Sequence, residues 1–252
     1  MDNWRLEEKN GIKYYKLYVN QPDFENLQCL FITKIGGLAF NSKQPEIFKK
    51  NVQLVQDIFS IGQINLLKQI HSDEIYYLKE DFKKNYSLEG DGLFTDKSNL
   101  YLGVRVADCL PIYIFSPNKK IIGIVHSGRH GTIKLIILKM IKMIQKQFKI
   151  NPRSLYYAFG PCIRGCGYEV SKDIVEHFQK IFNEYHITNA FDFRNGKYYL
   201  DIKVINQIIL EKIGLAKIGD IKQCSYCQKD LFFSARRDNS WERNLAIIGY
   251  KK

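Results

Sequence analysis

Three side chains that could hold a metal ion stand far apart in this 252-residue chain. His71, Cys109 and His126 each close an apolar, strand-like run: INLLKQIH, YLGVRVADC and IIGIVH. Two imidazoles and one thiolate suit zinc, and three protein ligands leave a fourth position for water or substrate. That ligand count is the one expected of a catalytic zinc site. The separations follow no local zinc-finger rule, so the same residues also read as unrelated buried side chains. Cys109 carries a second possibility: beside an imidazole its thiol is acidified and becomes a nucleophile, with His126 as its base. Metal binding deprotonates the thiol outright, so the two roles compete, and two available histidines favour the ligand. Asp108, next to Cys109, is placed to orient an imidazole, handle a proton or cap the following turn.

The segment VHSGRHGT follows directly on the third donor. Ser127, Gly128, Gly131 and Thr132 permit close backbone approach, and the helix expected to open there directs free N–H groups at an anion. Arg129 and His130 add cationic or polar donors. This predicts a phosphate or carboxylate pocket beside the metal; the alternative is an ordinary glycine-containing turn.

These residues need rigid elements to hold them. Strands are expected at Cys29–Thr33, Ile64–His71, Glu74–Lys79, Tyr101–Val106, Ile112–Phe115, Ile121–His126, Leu155–Phe159 and Leu245–Tyr250. Helical spacing marks Pro45–Ile61, Thr132–Lys149, Lys172–Tyr185 after Ser171 as N-cap, and Ile202–Ile213 before Gly214. Strands and helices mix without a regular βα repeat, which predicts an α+β fold. No internal repeat or long linker interrupts the chain, so one domain over residues 1–252 is expected.

Composition narrows the function classes. Hydrophobic residues make up 45% and charged residues 25% of the chain, as in soluble globular proteins. No apolar run approaches the roughly 18 residues needed to span a bilayer, and the charged N-terminal stretch lacks the apolar centre of a signal peptide. A cytoplasmic protein is expected, in which the six cysteines are thiols or ligands rather than disulfides. The net charge of +12 invites a nucleic-acid reading. The lysines, however, are scattered among Ile and Asn and are dense only along Lys134–Lys149, so nucleic-acid binding is disfavoured while an anionic small molecule is still attracted. His177 and His186 lie outside every motif and read as surface residues; Cys29 reads as core. Cys162, Cys166, Cys224 and Cys227 form a CxxxC…CxxC set with the look of a structural zinc site, but the long gap and the missing ribbon-like hairpin argue against it.

Six motifs follow in order: QIHS, DGLFTD, ADCLP, VHSGRHGT, GPCIRGCGYEV and FFSARRD. This succession, from about Ile32 to Tyr250, resembles the YfiH-type family, also called laccase-domain or polyphenol oxidase proteins and grouped with purine nucleoside phosphorylases. The resemblance implies a four-layer α/β/β/α sandwich with mixed sheets, related to toxin-type cysteine hydrolases. It places one zinc ion on His71, Cys109 and His126, with copper a less favoured occupant. It sets Gln69 in the QIHS motif and Arg236, with Ser234 and Arg237, along the substrate cleft, and Cys162 and Cys166 in a motif lining it. Where the family reads GWRGT, this chain has Arg129 and His130, losing an aromatic platform and exchanging a fixed guanidinium for a titratable imidazole. Lys34 stands where the family usually has arginine; it can still hold phosphate, without bidentate geometry.

The resemblance implies zinc-dependent phosphorolysis of purine nucleosides, with adenosine deamination and methylthioadenosine phosphorolysis beside it. The partners would then be a purine nucleoside and phosphate, with no membrane. Two other readings use the same residues. One is amide hydrolysis of a peptidoglycan precursor by Cys109 and His126. The other is copper-dependent phenol oxidation, for which five histidines in the whole chain are few.

Overall fold

A computed structural model describes residues 3–20, 24–81 and 88–251. Two six-stranded sheets carry the site. The first runs in the order β1 (Trp4–Lys9), β2 (Ile12–Leu17), β3 (Leu27–Ile32), β15 (Asn244–Tyr250), β7 (Tyr101–Val106) and β4 (Ile64–Asn65). The second runs β14 (Ala216–Asp220), β10 (Tyr156–Phe159), β8 (Leu110–Ser116), β9 (Ile121–Ser127), β6 (Gly92–Thr95) and β5 (Ile75–Tyr77). Both are mixed: most neighbours are antiparallel, but β4 with β7, β5 with β6 and β10 with β14 are parallel. A small third sheet joins β11 (Glu169–Val170), β13 (Lys197–Leu200) and β12 (Phe191–Arg194). The α+β expectation holds.

Strand sequences explain the packing. β8 (LPIYIFS) and β9 (IIGIVHS) are buried along their whole length, as apolar runs without alternation predict for strands covered on both faces. Their side chains divide between two cores. Tyr113, Phe115, Ile122 and Ile124 meet Phe31, Leu102, Val104 and Ala246 of the first sheet. Ile112, Ile114 and Val125 meet helix α3 (Ile136–Phe148) and helix α5 (Ile202–Lys212). A third core packs helix α1 (Pro45–Phe59) on β2, β3 and β15 through Phe48, Val52 and Val55.

Several boundaries differ from the sequence expectation, each for a local reason. The expected strand Ile64–His71 ends at Asn65, because the backbone of residues 70–72 turns to donate to the Asp91 carboxylate. The expected helix Thr132–Lys149 is two: α2 (Arg129–Ile133) and α3, separated at Leu135, which takes a left-handed backbone with φ 55°. The helix after Ser171 is α4 (Lys172–Ile181), followed by a 3-10 turn at Asn183–Tyr185, and the Ser171 side chain makes no capping bond. The β1–β2 hairpin was legible but not expected; Asn10 and Gly11 both take positive φ, as a tight Asn-Gly turn requires. The final helix, α6 (Ala235–Asp238), is capped by Ser234.

Candidate metal centre and arginine-lined cleft

The three predicted donors converge. His71 leaves the loop after β4, Cys109 lies in the turn between β7 and β8, and His126 lies in β9. The β8–β9 pairing sets Pro111 against His126 and Leu110 against Ser127, which carries Cys109 to the same sheet end as His126. One nitrogen from each imidazole and the Cys109 sulfur fall within 4.8 Å of one another. Cys109 Sγ is 3.8 Å from His71 Nε2, and the two imidazoles meet edge to face with centroids 4.8 Å apart. A four-coordinate ion about 2.3 Å from sulfur and 2.0–2.1 Å from nitrogen sets its S and N ligands roughly 3.6 Å apart. The donor set fits such an ion.

Asp91 builds this geometry. Its carboxylate accepts from the backbone N–H of Ile70 (3.3 Å), His71 (3.2 Å) and Ser72 (2.6 Å) and from the Ser72 hydroxyl (2.8 Å). It also meets His126 Nδ1 at 2.8 Å. One buried carboxylate thus clamps the backbone that bears the first histidine and orients the ring of the second. Accepting from Nδ1–H leaves His126 Nε2 free to face Cys109, the usual arrangement behind a ligating imidazole. His71 itself has φ 59°, a strained backbone for a side-chain-bearing residue of the kind that collects at functional sites.

Electrostatics couple the centre. Burial raises the Cys109 thiol, but His126 and His71 outweigh it and bring it down to about 6. Burial lowers His126, yet the Cys109 charge and Asp91 push it up to about 9. Between those values the pair is a thiolate facing an imidazolium. Burial also raises Asp91, but His126 and Ser72 hold it below the ordinary carboxylate range.

The centre forms the floor of a cavity of about 420 Å³. Arg105, Arg129, Arg236 and Arg243 line it, together with the rings of Tyr168 and Trp241. Burial, reinforced by the Arg243 charge, lowers Arg105 to about 10. Four arginines on one cleft wall suit an anion. Gly128 packs against the donors: a Cβ there would stand 2.8 Å from Cys109 Sγ and 3.3 Å from His71 Cδ2. Only glycine brings the α2 turn this near the donors.

Of the residues singled out in the sequence, His71, Cys109, His126, Gln69, Asp108, Arg129 and Arg236 line the cleft. Lys34, Ser127, Gly128 and His130 do not line it. Lys34 donates its N–H to the Leu231 carbonyl, and Ser127 is buried against Thr132 and Asn206. His130 is exposed on α2. Gln69 pairs its amide in both directions with the Arg105 backbone, at 2.8 Å each way, and so braces the His71 loop against β7. Asp108 orients neither imidazole through its described bonds. Its carboxylate accepts from Ser225 Oγ (2.7 Å), Ser234 Oγ (2.9 Å) and the Arg236 N–H (2.7 Å). It ties the α6 start to the cleft, at a backbone φ of 90°. The imidazole-orienting role expected of Asp108 belongs instead to Asp91, the first residue of the DGLFTD motif. Arg105, Arg243, Tyr168 and Trp241 were also missed; Arg105 had a signal, as the one charge within the apolar β7 run.

Fold and site together define a class: a mixed-sheet α+β protein with a two-histidine, one-cysteine centre beneath an arginine-lined cleft. The sequence model of the family described as multi-copper polyphenol oxidoreductase laccase matches residues 37–251, and the chain belongs to this laccase-domain family. A Borreliella burgdorferi protein named purine nucleoside phosphorylase is 38% identical over 234 residues, 93% of this chain and 96% of that protein. A Clostridium acetobutylicum protein with the same activity in its name is 33% identical over 215 residues, 85% and 87% of the two chains. The crystal structure of YlmD from Geobacillus stearothermophilus superposes with a TM-score of 0.85 at 25% identity, covering 100% of both chains. That of YfiH from Bacillus licheniformis gives 0.84 at 26% identity, again over 100% of both.

Proposed function

We propose that this chain is a purine nucleoside phosphorylase that holds one zinc ion through His71, Cys109 and His126. The observation that carries this reading is the convergence of those donors on the floor of a cleft walled by four arginines. The activity named for its relatives supports it. Phosphorolysis brings phosphate and a nucleoside together so that a phosphate oxygen bonds the sugar C1′ as the purine departs. Arg129, Arg236 and Arg243 bind and aim the phosphate, with Arg105 adding charge from the cleft wall. Tyr168 and Trp241 offer ring faces to the purine. Asp91 keeps His126 in one tautomer and orientation. Zinc, when bound, supplies a Lewis acid at the cleft floor. Adenosine deamination and methylthioadenosine phosphorolysis belong to the same proposal, because both substrates carry the purine and ribose that the cleft would receive.

We also take the chain to be one domain with α/β/β/α layering, working in the cytoplasm. Core side chains between the sheets support the layering. No helix among the described residues is long and apolar enough to cross a membrane.

The test is release of hypoxanthine from inosine with and without phosphate, by wild type and by metal-verified Cys109→Ala and His126→Ala. Phosphate-dependent release lost in both variants supports the proposal; unchanged turnover removes it. One observation favours a second reading. Asp91, His126 and Cys109 line up as an acid, a base and an acidified thiol, the order of a cysteine amide hydrolase, as on a peptidoglycan precursor. Full zinc occupancy in protein purified without added metal counts against it. Copper-dependent phenol oxidation has weaker support: beyond His71 and His126 the histidines are His130, His177 and His186, all exposed, so further copper centres lack clustered imidazoles.

A further inference from the structure

A second group of donors lies outside the cleft. The sulfurs of Cys166, Cys224 and Cys227 fall within 4.8 Å of one another, with those of Cys166 and Cys227 3.3 Å apart. The fold assembles them deliberately from two segments. A bridge between Cys162 and Cys224 aligns the segments in parallel, and the Ser225 N–H donates to the Cys162 carbonyl at 3.0 Å. Cys224 and Cys227 then share a CxxC turn closed by the Gln228 N–H on the Cys224 carbonyl. Gly167 permits the approach, since a Cβ there would lie 2.6 Å from the Tyr226 ring. The fourth cysteine of the sequence set, Cys162, is buried apart from this group.

The spacing distinguishes two chemistries. A disulfide needs its sulfurs about 2.05 Å apart. Thiolates about 2.3 Å from a tetrahedral zinc stand roughly 3.8 Å from one another, within the range found here. The surroundings also brace the sulfurs. The Arg164 N–H points at Cys224 Sγ from 3.4 Å, a backbone donor of the kind that steadies a ligating sulfur. The Arg237 guanidinium bonds the Ser225 and Tyr226 carbonyls inside the CxxC turn, at 2.9 and 2.8 Å. Arg164 bonds the Lys222 carbonyl just before it. Each guanidinium is also paired with a carboxylate, Arg164 with Asp201 and Arg237 with Asp238, so the two brace the turn in place and leave the charge of the site to its own donors. Cys166 and Cys227 are exposed, so an ion enters from solvent and keeps its fourth position open to water.

We propose that Cys166, Cys224 and Cys227 form a second metal site, an all-thiolate site for a zinc-like thiophilic cation. It staples the segment bearing Ile163 and Tyr168 to the turn bearing Ser225, which holds Asp108 at the cleft wall. This inference is independent of the activity proposed above.

The test uses the full chain with Cys109→Ala, which leaves the cleft centre without sulfur. Reduced protein titrated with cobalt(II) should develop a near-ultraviolet sulfur-to-cobalt band saturating at one equivalent. Adding Cys227→Ala should lower that band by about a third or more, as one of three thiolates is lost. Because such variants can fail to fold, wild-type protein is also footprinted with N-ethylmaleimide and peptide mass mapping. Zinc buffered about tenfold above its dissociation constant should slow modification of Cys166, Cys224 and Cys227 by about tenfold. A cobalt complex without a sulfur band, alkylation of these thiols unaffected by zinc, or a Cys166–Cys227 disulfide persisting in zinc-loaded protein overturns the proposal.

Discussion

Replacing Asp91 by asparagine changes one oxygen to an amide and removes one charge, yet it should disturb the whole centre. The carboxylate accepts from five donors: the N–H groups of Ile70, His71 and Ser72, the Ser72 hydroxyl and His126 Nδ1. An asparagine keeps a single acceptor oxygen and turns its NH2 toward groups that also donate. At least two buried donors lose their acceptor, each at about 1–3 kcal/mol. Breaking a buried charged contact as a whole costs about 3–5 kcal/mol. For a chain of this length that is a fall in melting temperature of roughly 6 to 20 °C. Because His126 also loses its orienting partner, metal affinity should fall about 10- to 100-fold. Calorimetry in chelator measures the first quantity, and competition with a zinc chelator the second. Asp91 sits below its ordinary carboxylate value in the folded chain. Its contribution is therefore present above the unfolded value and disappears as pH falls through the folded one, so the variant should lose part of the acid limb of the stability profile. A melting point within about 2 °C of wild type, together with unchanged zinc affinity, would refute this reasoning.

Three further predictions follow from the same geometry. Gly128→Ala should leave the far-ultraviolet spectrum unchanged but weaken metal binding about tenfold or more, because the added methyl would press on Cys109 Sγ and His71; unchanged affinity by chelator competition contradicts the close approach. In chelated protein, alkylation of Cys109 by iodoacetamide should rise with a midpoint near pH 6, since the thiol is brought down to about 6 and the thiolate is lost only below that; a midpoint near that of an ordinary cysteine, about 8.5, contradicts the thiolate–imidazolium pair. Arg129→Ala and Arg243→Ala should each raise the phosphate KM about tenfold or more with little change in the inosine KM, and an equal effect on both substrates would mean that these arginines do not face the anion.

How much of this was legible depended on whether a residue's role was local. The three donors could be picked out because each ends or follows an apolar run and carries a soft atom, even though only Cys109 and His126 are brought together by adjacent strands. His71 stands out by residue type although its strand ends early; hydrophobic spacing past Asn65 continues, but the backbone obeys Asp91, which reaches it from the residue before β6. Leu135 shows the same limit, since the apolar stripe runs through the break between α2 and α3 without marking it. Arg105 and Arg243 reach one cleft because β7 and β15 pair Arg105 with Leu245, a contact between distant segments that composition does not announce. The long gap in the cysteine set argues against one ion, yet the structure brings three of the four together through a bridge invisible in the spacing. Asp108 and Asp91 are chemically identical in sequence; only their partners distinguish the residue that braces α6 from the one that orients His126.

The central claim is tested most directly by anomalous diffraction at the zinc edge from crystals grown with zinc and phosphate. The account predicts a peak bonded to His71 Nε2, Cys109 Sγ and a His126 ring nitrogen, with phosphate held by cleft arginines beside it. A map with no metal among those three atoms, or with phosphate only on the outer surface, would contradict it.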